Sequence, residues 1–163
     1  MNIKYRFIRE NEYPFLKEML YEALFVPPSQ PKFPASIIEV PEIAKYINSW
    51  EQGKSDIAIV AVHDDELLGA VWGRKFEESN KGYGFVDEAT PEISMAVKPE
   101  FRNKGIGTSL LNQIESEFAK IGIITLSLSV NKLNPAKQLY ERCGYEIFQE
   151  EETAVTMMKE IRK

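Results

Sequence analysis

Residues 95–111 read MAVKPEFRNKGIGTSLL, and this stretch says more about the architecture than any other part of the chain. An apolar run ends at Val97, Pro99 interrupts strand pairing, and a basic, glycine-rich turn leads into a helix after Gly105. The first turn of a helix presents unpaired N–H groups and a partial positive charge, which attract anions. The pattern therefore predicts a strand, an anion-binding turn and a helix, in that order.

The spacing of the glycines argues against the two commonest nucleotide-binding motifs. The chain contains no GxxxxGK[ST] run of the P-loop type. The dinucleotide fingerprint GxGxxG fails because Leu110 stands where the third glycine belongs after Gly105 and Gly107. Glycines let backbone amides approach an anion closely, and Arg102 and Lys104 add positive charge there. The residues predict a phosphate or pyrophosphate site, with an ordinary glycine-rich helix start as the alternative.

Outside this stretch the chain alternates between predicted strands and helices. Strands are expected over residues 3–7, 57–62, 67–72, 93–97 and 125–130 and from about 145 and 154, and helices over 15–23, 43–53, 106–118 and 135–143. Residues 27–41 hold five prolines and predict an irregular loop. The mixture predicts an α/β fold with a mixed, mostly antiparallel sheet of about six to seven strands and about four helices. A single domain over residues 1–163 is expected.

Composition narrows the classes of function. The balance of 20 basic against 25 acidic residues gives a net charge of −5, which disfavours nucleic acid as the main partner. One cysteine and one histidine provide neither an internal disulfide nor a metal site. No apolar run approaches the roughly 20 residues that span a bilayer, and the N-terminus has no hydrophobic signal core. A cytoplasmic protein without a metal or a membrane partner is expected.

Two motifs give the chain a family resemblance. Residues 102–107, RNKGIG, resemble the [RQ]xxGx[GA] signature of the GNAT superfamily of acyl-CoA-dependent N-acyltransferases. The preceding residues 97–101, VKPEF, are similar to the strand-to-loop segment of that family, and residues 131–145 resemble its second motif. The matching positions of the second motif are Asn131, Asn134, Ala136, Tyr140, Gly144 and Tyr145. The resemblance covers residues 92–148, whereas the N-terminal half agrees only in its order of strands and helices.

The resemblance implies acetyl-CoA as co-substrate and a place for it. The backbone amides of the turn would bind its pyrophosphate. The residues of this turn are Arg102, Asn103, Lys104, Gly105, Ile106, Gly107 and Thr108. The pantetheine arm would lie like an added strand along Met95, Ala96 and Val97, where the strand splays from the one at 125–130. A backbone amide there would stabilise the oxyanion of the acyl carbonyl.

Two asparagines of the second motif are further candidate cofactor contacts. Asn134 precedes Pro135, so capping of the following helix explains it without any ligand, although both roles are compatible. Asn131 ends a strand, and the sequence gives it no structural role. We therefore expect Asn131, and by resemblance Asn134, to contact the cofactor.

Tyr140 is the candidate general acid. Its helical spacing with Ala136, Leu139 and Cys143 predicts a buried face, so a core aromatic is the alternative. The resemblance implies that it protonates the departing coenzyme A thiolate, and a phenol of pKa about 10 suits that step. Cys143 itself is expected to be a small buried side chain.

An amine acceptor must lose a proton, so a general base is expected. Glu92 is the leading candidate because it shares a strand face with Ser94 and Ala96 and resembles a glutamate used by some GNAT enzymes. A solvated charge at the start of the strand is the alternative reading of Glu92. Asp87 and Glu88, in the preceding loop, are weaker candidates for the base.

The function implied by the resemblance is transfer of an acetyl group from acetyl-CoA to a primary amine of a small molecule, by direct attack in a ternary complex. The acceptor pocket is expected between the proline-rich loop, the second helix and residues 76–89. Trp72 fits a core face, although it could reach this pocket. Its acidic rim, Glu77, Glu78, Asp87 and Glu88, would favour a cationic amine.

Three alternatives stay open. The chain acylates a protein N-terminus or lysine, it senses acyl-CoA without catalysis, or, as a distant third, it binds a nucleotide. Homodimers are common in the family, and the sequence carries no interface signature that decides the matter.

Overall fold

A seven-stranded sheet forms the centre of the computed structural model, which describes residues 1–53 and 55–162. Its strands are β1 (Lys4–Phe7), β2 (Ile57–His63), β3 (Glu66–Arg74), β4 (Glu92–Val97), β5 (Thr125–Asn131), β6 (Glu146–Glu150) and β7 (Ala154–Glu160). They lie in the order β1-β2-β3-β4-β5-β7-β6. The β4–β5 pair is parallel and the other neighbouring pairs are antiparallel. The mixed, mostly antiparallel sheet predicted from the sequence is confirmed.

Helices cover both faces of this sheet. They are α1 (Tyr13–Ala23), α2 (Pro41–Ala44), α3 (Ile106–Lys120) and α4 (Ala136–Arg142). Leu16 and Met19 of α1 pack with Trp72 in one buried cluster, whereas Phe118 of α3 packs with Leu128 of β5 in a second. Because successive side chains of a strand point to opposite faces, the two clusters lie on the two sides of the sheet. We call these sides the α1 face and the α3 face.

The β2–β3 hairpin forms as the sequence predicts. Its turn places Asp64 and Asp65 at φ values of 48° and 66°. Positive φ at both central positions is typical of the type I′ turn, whose backbone twist matches the twist of the flanking strands.

The helix predicted over residues 43–53 is shorter than expected. It ends at Ala44 and is followed by turns, with Ser49 at a φ of 53°. The guanidinium of Arg74 explains this end, since it donates to the carbonyl oxygens of Lys45 (2.9 Å) and Asn48 (2.8 Å), which a continuing helix would use itself.

Two smaller differences concern the N-terminal third. Residues 35–39 form a short 3-10 helix inside the proline-rich stretch, which is otherwise irregular. Phe7 is 48% exposed although its alternation with Lys4 and Arg6 predicts a buried side chain. In the described parts of the chain, no helix has the length and apolar character that crossing a bilayer requires.

Candidate active site

A wedge-shaped gap between β4 and β5 is the main feature of the site. The two strands pair at a single position, Glu92 with Ser127, where the Ser127 amide donates to the carbonyl of Pro91 at 3.0 Å. Toward their carboxyl ends the strands form no further pair and separate. We call this gap the wedge. Glu92 lies at its narrow end, and the turn before α3 lies at its open end.

The wedge faces backbone groups of β4 that pair with no other strand. On its other side β4 pairs with β3 along its whole length, and Lys98 donates its amide to Leu68 at 2.9 Å. Because alternate residues of an antiparallel strand address the same neighbour, Ala96 directs its backbone groups to β3. Met95 and Val97 direct theirs into the wedge. An amide-bearing arm could therefore pair with Met95 and Val97, whereas Ala96 offers it no backbone group.

The turn at residues 102–108 presents the start of α3 at the open end of the wedge. Gly105 precedes the first helical residue with a φ of 81°, and nothing lies within 4 Å of the place that its Cβ would occupy. Asn103 has a φ of 62°. Lys104 and Thr108 are exposed, whereas Ile106 is buried, with 2% of its surface exposed. Of Ile106 only the backbone is available to a ligand.

Side-chain packing, rather than the close approach of an anion to its backbone amide, explains the glycine at position 107. A Cβ at this position would lie 2.9 Å from Leu139 Cδ2 and 3.2 Å from Met95 Cε. The glycine therefore lets α3 pack closely against α4 and β4, which brings the turn, the wedge and Tyr140's helix together.

Arg102 is engaged with the protein itself. Its Nε donates to the carbonyl of Val97 at 3.0 Å, and its guanidinium lies 3.3 Å from the carboxylate of Glu22. The side chain therefore ties the turn to the end of β4, and its role toward a cofactor stays a prediction.

Glu92 is a buried carboxyl, so the alternative of a solvated charge is wrong. The residue is 3% exposed, and its Oε2 accepts a hydrogen bond of 2.6 Å from the hydroxyl of Tyr46. Its Oε1 has no hydrogen-bond partner among the described residues. Burial raises the pKa of Glu92 to about 7, although the Tyr46 hydroxyl, the backbone amide of Gly84 and the charge of Lys45 act in the opposite direction. A carboxyl with such a pKa can accept and release a proton near neutrality.

The two weaker candidates for the base have structural roles in their loop. Asp87 Oδ1 accepts the amide of Ala89 at 2.9 Å, and Glu88 Oε2 accepts the amide of Glu78 at 2.9 Å. Both residues are exposed. Neither has the buried environment that distinguishes Glu92.

Tyr46 is a residue of the site that sequence analysis missed. Its spacing indicated a core position in a helix, and it is indeed 7% exposed. The structure adds that its hydroxyl also accepts the amide of Tyr83 at 2.7 Å. Tyr46 and Glu92 are distant in the chain, and no motif connects them, so only the fold reveals the pair.

Tyr140 lies in the core of the α3 face. It is 7% exposed, and its ring meets that of Tyr145 edge-on at 6.0 Å between centroids. Burial raises the pKa of Tyr140 above its ordinary value, so the phenol keeps its proton at neutral pH. Its hydroxyl makes no hydrogen bond with another residue in ranges 1–53 and 55–162. Glu92 packs with Tyr46 on the α1 face, so acid and base candidates lie on opposite sides of the sheet.

Both motif asparagines have local structural roles. Asn134 Oδ1 accepts the amide of Ala136 at 2.9 Å and so caps the start of α4, as its place before Pro135 predicts. Asn131 Oδ1 accepts the amide of Leu133 at 2.9 Å. The expectation that Asn131 has no structural role is therefore wrong, and a cofactor contact of either residue stays a prediction.

The acceptor region differs in part from the pocket that the sequence predicts. Residues 82–84 cross the α1 face of β5 and β7, where Ser127 Oγ donates to the carbonyl of Gly84 at 2.7 Å. A cavity of about 290 Å³ lies between this loop and β6–β7 and is lined by Glu78, Lys81, Tyr83, Phe85, Phe148 and Glu151 among others. The proline-rich loop does not line this cavity. Trp72 is 1% exposed and lies in the core, as its predicted core face indicates, so its alternative place at the acceptor pocket is wrong.

The described residues hold no cluster of three or more His, Cys, Asp or Glu side chains that could bind a metal ion.

Comparison with known proteins shows the family and the fold. The family model described as "Acetyltransferase (GNAT) family" matches residues 17–145. The [Ribosomal protein bS18]-alanine N-acetyltransferase of Escherichia coli (strain K12) is 39% identical over 61 residues, which span 37% of this chain and 40% of that relative. The match thus covers well under half of either protein.

Two solved structures show the same fold at low identity. The PaiA N-acetyltransferase from Thermoplasma acidophilum, in complex with coenzyme A, superposes with a TM-score of 0.70 at 19% identity, covering 98% of this chain and 99% of that one. The structure of AAC(6')-Ib with ribostamycin and coenzyme A gives a TM-score of 0.63 at 18% identity, covering 98% and 94%.

Proposed function

This chain belongs to the GNAT family of acetyltransferases, and from that premise we propose that it moves an acetyl group from acetyl-CoA to a primary amine of a small molecule. One observation carries the proposal: the wedge between β4 and β5 narrows at Glu92, a buried carboxyl whose pKa lies near neutrality. A thioester carbonyl held in the wedge would lie beside a group that can accept the proton of an attacking amine. The prediction of a cytoplasmic location stands beside this proposal, and pairing into homodimers stays an open alternative.

The binding mode of acetyl-CoA follows from the groups that the wedge offers. The pantetheine arm pairs with the wedge-facing backbone groups of Met95 and with the amide of Val97, because these have no partner strand there. The carbonyl of Val97 already accepts from Arg102. The pyrophosphate lies against the amides at the start of α3, where Gly105 leaves the approach open. Lys104 supplies positive charge at that place, and Asn131 and Asn134 are further proposed contacts of the cofactor.

The reaction is a direct transfer. The amine nitrogen attacks the thioester carbonyl, so a C–N bond forms and the C–S bond breaks. The proton of the amine passes to Glu92, and the departing thiolate takes a proton from the hydroxyl of Tyr140, which solvent restores. Because burial raises the pKa of Tyr140, its main contribution is a hydrogen bond that stabilises the thiolate before the proton moves.

The placement of Glu92 and Tyr140 supports this direct route. The two residues lie on opposite faces of the sheet, with the wedge between them. An amine can therefore arrive from the α1 face while the thiol leaves toward the α3 face. Neither step needs a covalent intermediate on the protein.

The acceptor is proposed to be a cationic small molecule. The cavity beside residues 78–86 combines the carboxylates Glu78 and Glu151 with the aromatic side chains of Tyr83 and Phe148. Lys81 also lines it and pairs with Glu78 at 3.0 Å, so Glu151 is the carboxylate left to attract a cation. Carboxylates concentrate a cationic amine by electrostatic attraction, and aromatic faces contact its charge or its carbon skeleton. At about 290 Å³ the cavity is at the small end of ligand pockets. The similar fold of AAC(6')-Ib, solved with ribostamycin, is compatible with such an acceptor.

A protein N-terminus is the second candidate acceptor. The observation that favours it is the relative that acetylates an alanine of ribosomal protein bS18, at 39% identity over 61 residues. A peptide would enter along the same α1 face, where residues 78–86 and β6–β7 form a groove. A sensor that binds acyl-CoA without turnover is the remaining alternative.

Release of coenzyme A from acetyl-CoA, followed with a thiol reagent, tests these candidates. The panel contains polyamines, aminoglycosides, amino acids and short peptides with free N-termini, each compared with a blank that lacks acceptor. We expect release with small cationic amines, and mass spectrometry should show one added acetyl group. Release with peptides alone would replace the small-molecule acceptor by the protein one. Binding of acetyl-CoA without release from any acceptor would favour the sensor.

A further inference from the structure

Tyr46 and Glu92 form a buried pair that the proposed reaction does not yet explain. We propose that Tyr46 is a positioning residue, whose hydroxyl holds Glu92 by Oε2 so that Oε1 is the oxygen that takes the proton of the acceptor. The inference rests on the proposed role of Glu92 as the base.

The direction of the hydrogen bonds is fixed by their donors. The amide of Tyr83 can only donate, and it lies 2.7 Å from the Tyr46 oxygen. Tyr46 must therefore accept at that contact and turn its own hydrogen toward Glu92 Oε2, 2.6 Å away. Because Oε2 is occupied in this way, an incoming proton goes to Oε1, which accepts no side-chain hydrogen bond from the described residues and lies beneath the backbone of residues 82–84. An acceptor reaches Oε1 only when this loop moves aside.

The turn at residues 45–46 also holds the loop that covers the Glu92 carboxyl. A Cβ at Gly82 would lie 2.1 Å from Glu92 Oε1 and 2.8 Å from the Tyr46 hydroxyl, so the loop backbone passes directly over both groups. Lys45, next to Tyr46, donates from its ammonium to the carbonyl of Lys81 and to Asn80 Oδ1. The turn at residues 45–46 thus fixes the loop and the carboxyl relative to each other.

Other charged groups near Glu92 are engaged elsewhere. Arg74 stands opposite Glu92 in the β3–β4 register, but its guanidinium binds Asp56 at 2.5 Å and 3.0 Å. The positive charge of Lys45 favours the ionised carboxyl, yet its hydrogen bonds go to the loop. Within the described ranges, Tyr46 is the side chain that donates a hydrogen bond to Glu92.

Removing the hydroxyl should have a specific effect on the pH dependence of turnover. A hydrogen bond to a carboxylate stabilises its ionised form, so its loss raises the pKa of Glu92 further. In the Tyr46→Phe variant, the acid limb of kcat/KM should move up by about one pH unit or more. At pH 7 the rate should fall by roughly tenfold, and part of it should return at higher pH.

The experiment compares pH profiles of kcat/KM for the wild type, Tyr46→Phe, Glu92→Gln and Tyr13→Phe. Tyr13 is the matched control, because its hydroxyl accepts the amide of Gln52 at 3.3 Å, far from the pair in the hydrogen-bond network. We expect an upward shift for Tyr46→Phe, an unchanged limb for Tyr13→Phe and unchanged affinity of both for acetyl-CoA. An unchanged limb in Tyr46→Phe overturns the inference.

The pH profile of Glu92→Gln distinguishes a failure of Glu92 as the base from a failure of Tyr46 as its positioning residue. If this variant keeps the wild-type limb, the proposed base itself is wrong. If it loses the limb while Tyr46→Phe keeps it, only the positioning role is wrong. Should Tyr46→Phe fail to fold, 3-fluorotyrosine at position 46 serves instead: its more acidic hydroxyl donates more strongly, and the limb should move to lower pH. A limb that stays in place with fluorotyrosine also overturns the inference.

Discussion

The carboxyl of Glu92 combines almost complete burial with one strong hydrogen bond and one free oxygen. Burial raises its pKa to about 7, so the ionised, proton-accepting form appears only as the pH passes neutrality. Replacement by glutamine should lower kcat/KM at pH 8 by about 10²- to 10³-fold and remove the acid limb. Steady-state rates between pH 5.5 and 9 with a fixed acceptor measure this. A Glu92→Gln enzyme that retains the wild-type rate and profile would exclude Glu92 from the mechanism.

The buried carboxyl of Glu92 should lower the free energy of unfolding at high pH. A folded-state pKa above the ordinary carboxyl value means that the folded protein binds more protons than the unfolded chain between about pH 4.5 and 7. Stability therefore decreases as pH rises through that window, by about 3 kcal/mol in the limit. Glu92→Gln carries no charge and still accepts from Tyr46, so it should be more stable than the wild type at pH 8 and similar at pH 4.5. Denaturant unfolding at both pH values measures the difference; equal curves at pH 8 would contradict the burial of an ionised carboxyl.

Tyr140 should act on turnover rather than on binding. Its hydroxyl has no partner within residues 1–53 and 55–162, so Tyr140→Phe should fold normally and bind acetyl-CoA with unchanged affinity. We expect kcat to fall by about tenfold or more, because the thiolate loses its donor. Tyr145→Phe is the control: it loses a hydrogen bond of 2.9 Å to Glu115 and should change stability instead of kcat. Full turnover by Tyr140→Phe would remove Tyr140 from the reaction.

At the scale of the elements, α3 offers a matched test of the anion-binding turn. Gly105 and Gly122 flank this helix with φ values of 81° and 87°, and a Cβ would meet no atom within 4 Å at either position. Alanine should therefore cost about 1 kcal/mol of stability at both, from backbone strain alone. Only Gly105→Ala should also raise the KM for acetyl-CoA, since its turn holds the start of α3 at the wedge. Equal KM values for the two variants would contradict a cofactor role of the turn.

The sequence predicts the elements better than their contacts. The β2–β3 hairpin, β4 and α3 follow from periodicity and turn residues, which act locally. The end of α2 does not, because Arg74 removes the carbonyls of Lys45 and Asn48 from the helix. The wedge depends on a single pairing, Glu92 with Ser127, which no local pattern encodes.

Within the site, too, the sequence predicts which residues belong to it better than it predicts their contacts. Glu92, Met95 and Val97 stand out in the sequence through their motif and strand, and the structure places them around one gap. The burial of Glu92 could not be predicted, because Tyr46 and Gly82 produce it from remote parts of the chain. Likewise, the role of Asn131 in accepting Leu133's amide appears only once the turn after β5 is formed.

For the whole molecule, charge should govern the choice of acceptor. The chain has a net charge of −5, and Glu78 and Glu151 line the cavity beside the loop. For a polyamine acceptor, kcat/KM should fall several-fold between about 20 mM and 300 mM salt, because ions screen the attraction. A neutral amine of similar size should show little change. Glu78→Gln with Glu151→Gln should weaken the salt dependence, and equal dependence in both proteins would place the acceptor elsewhere.

A structure of the protein with a non-reactive acetyl-CoA analogue would show whether the wedge holds the cofactor. We predict that the pantetheine arm lies between β4 and β5, with its amides paired to the backbone of Met95 and Val97 and its pyrophosphate at residues 102–108. The thioester carbon should then lie toward the narrow end of the wedge, on the side of Glu92. An arm bound outside the wedge, or an acyl group remote from Glu92, would contradict both the proposed site and the mechanism built on it.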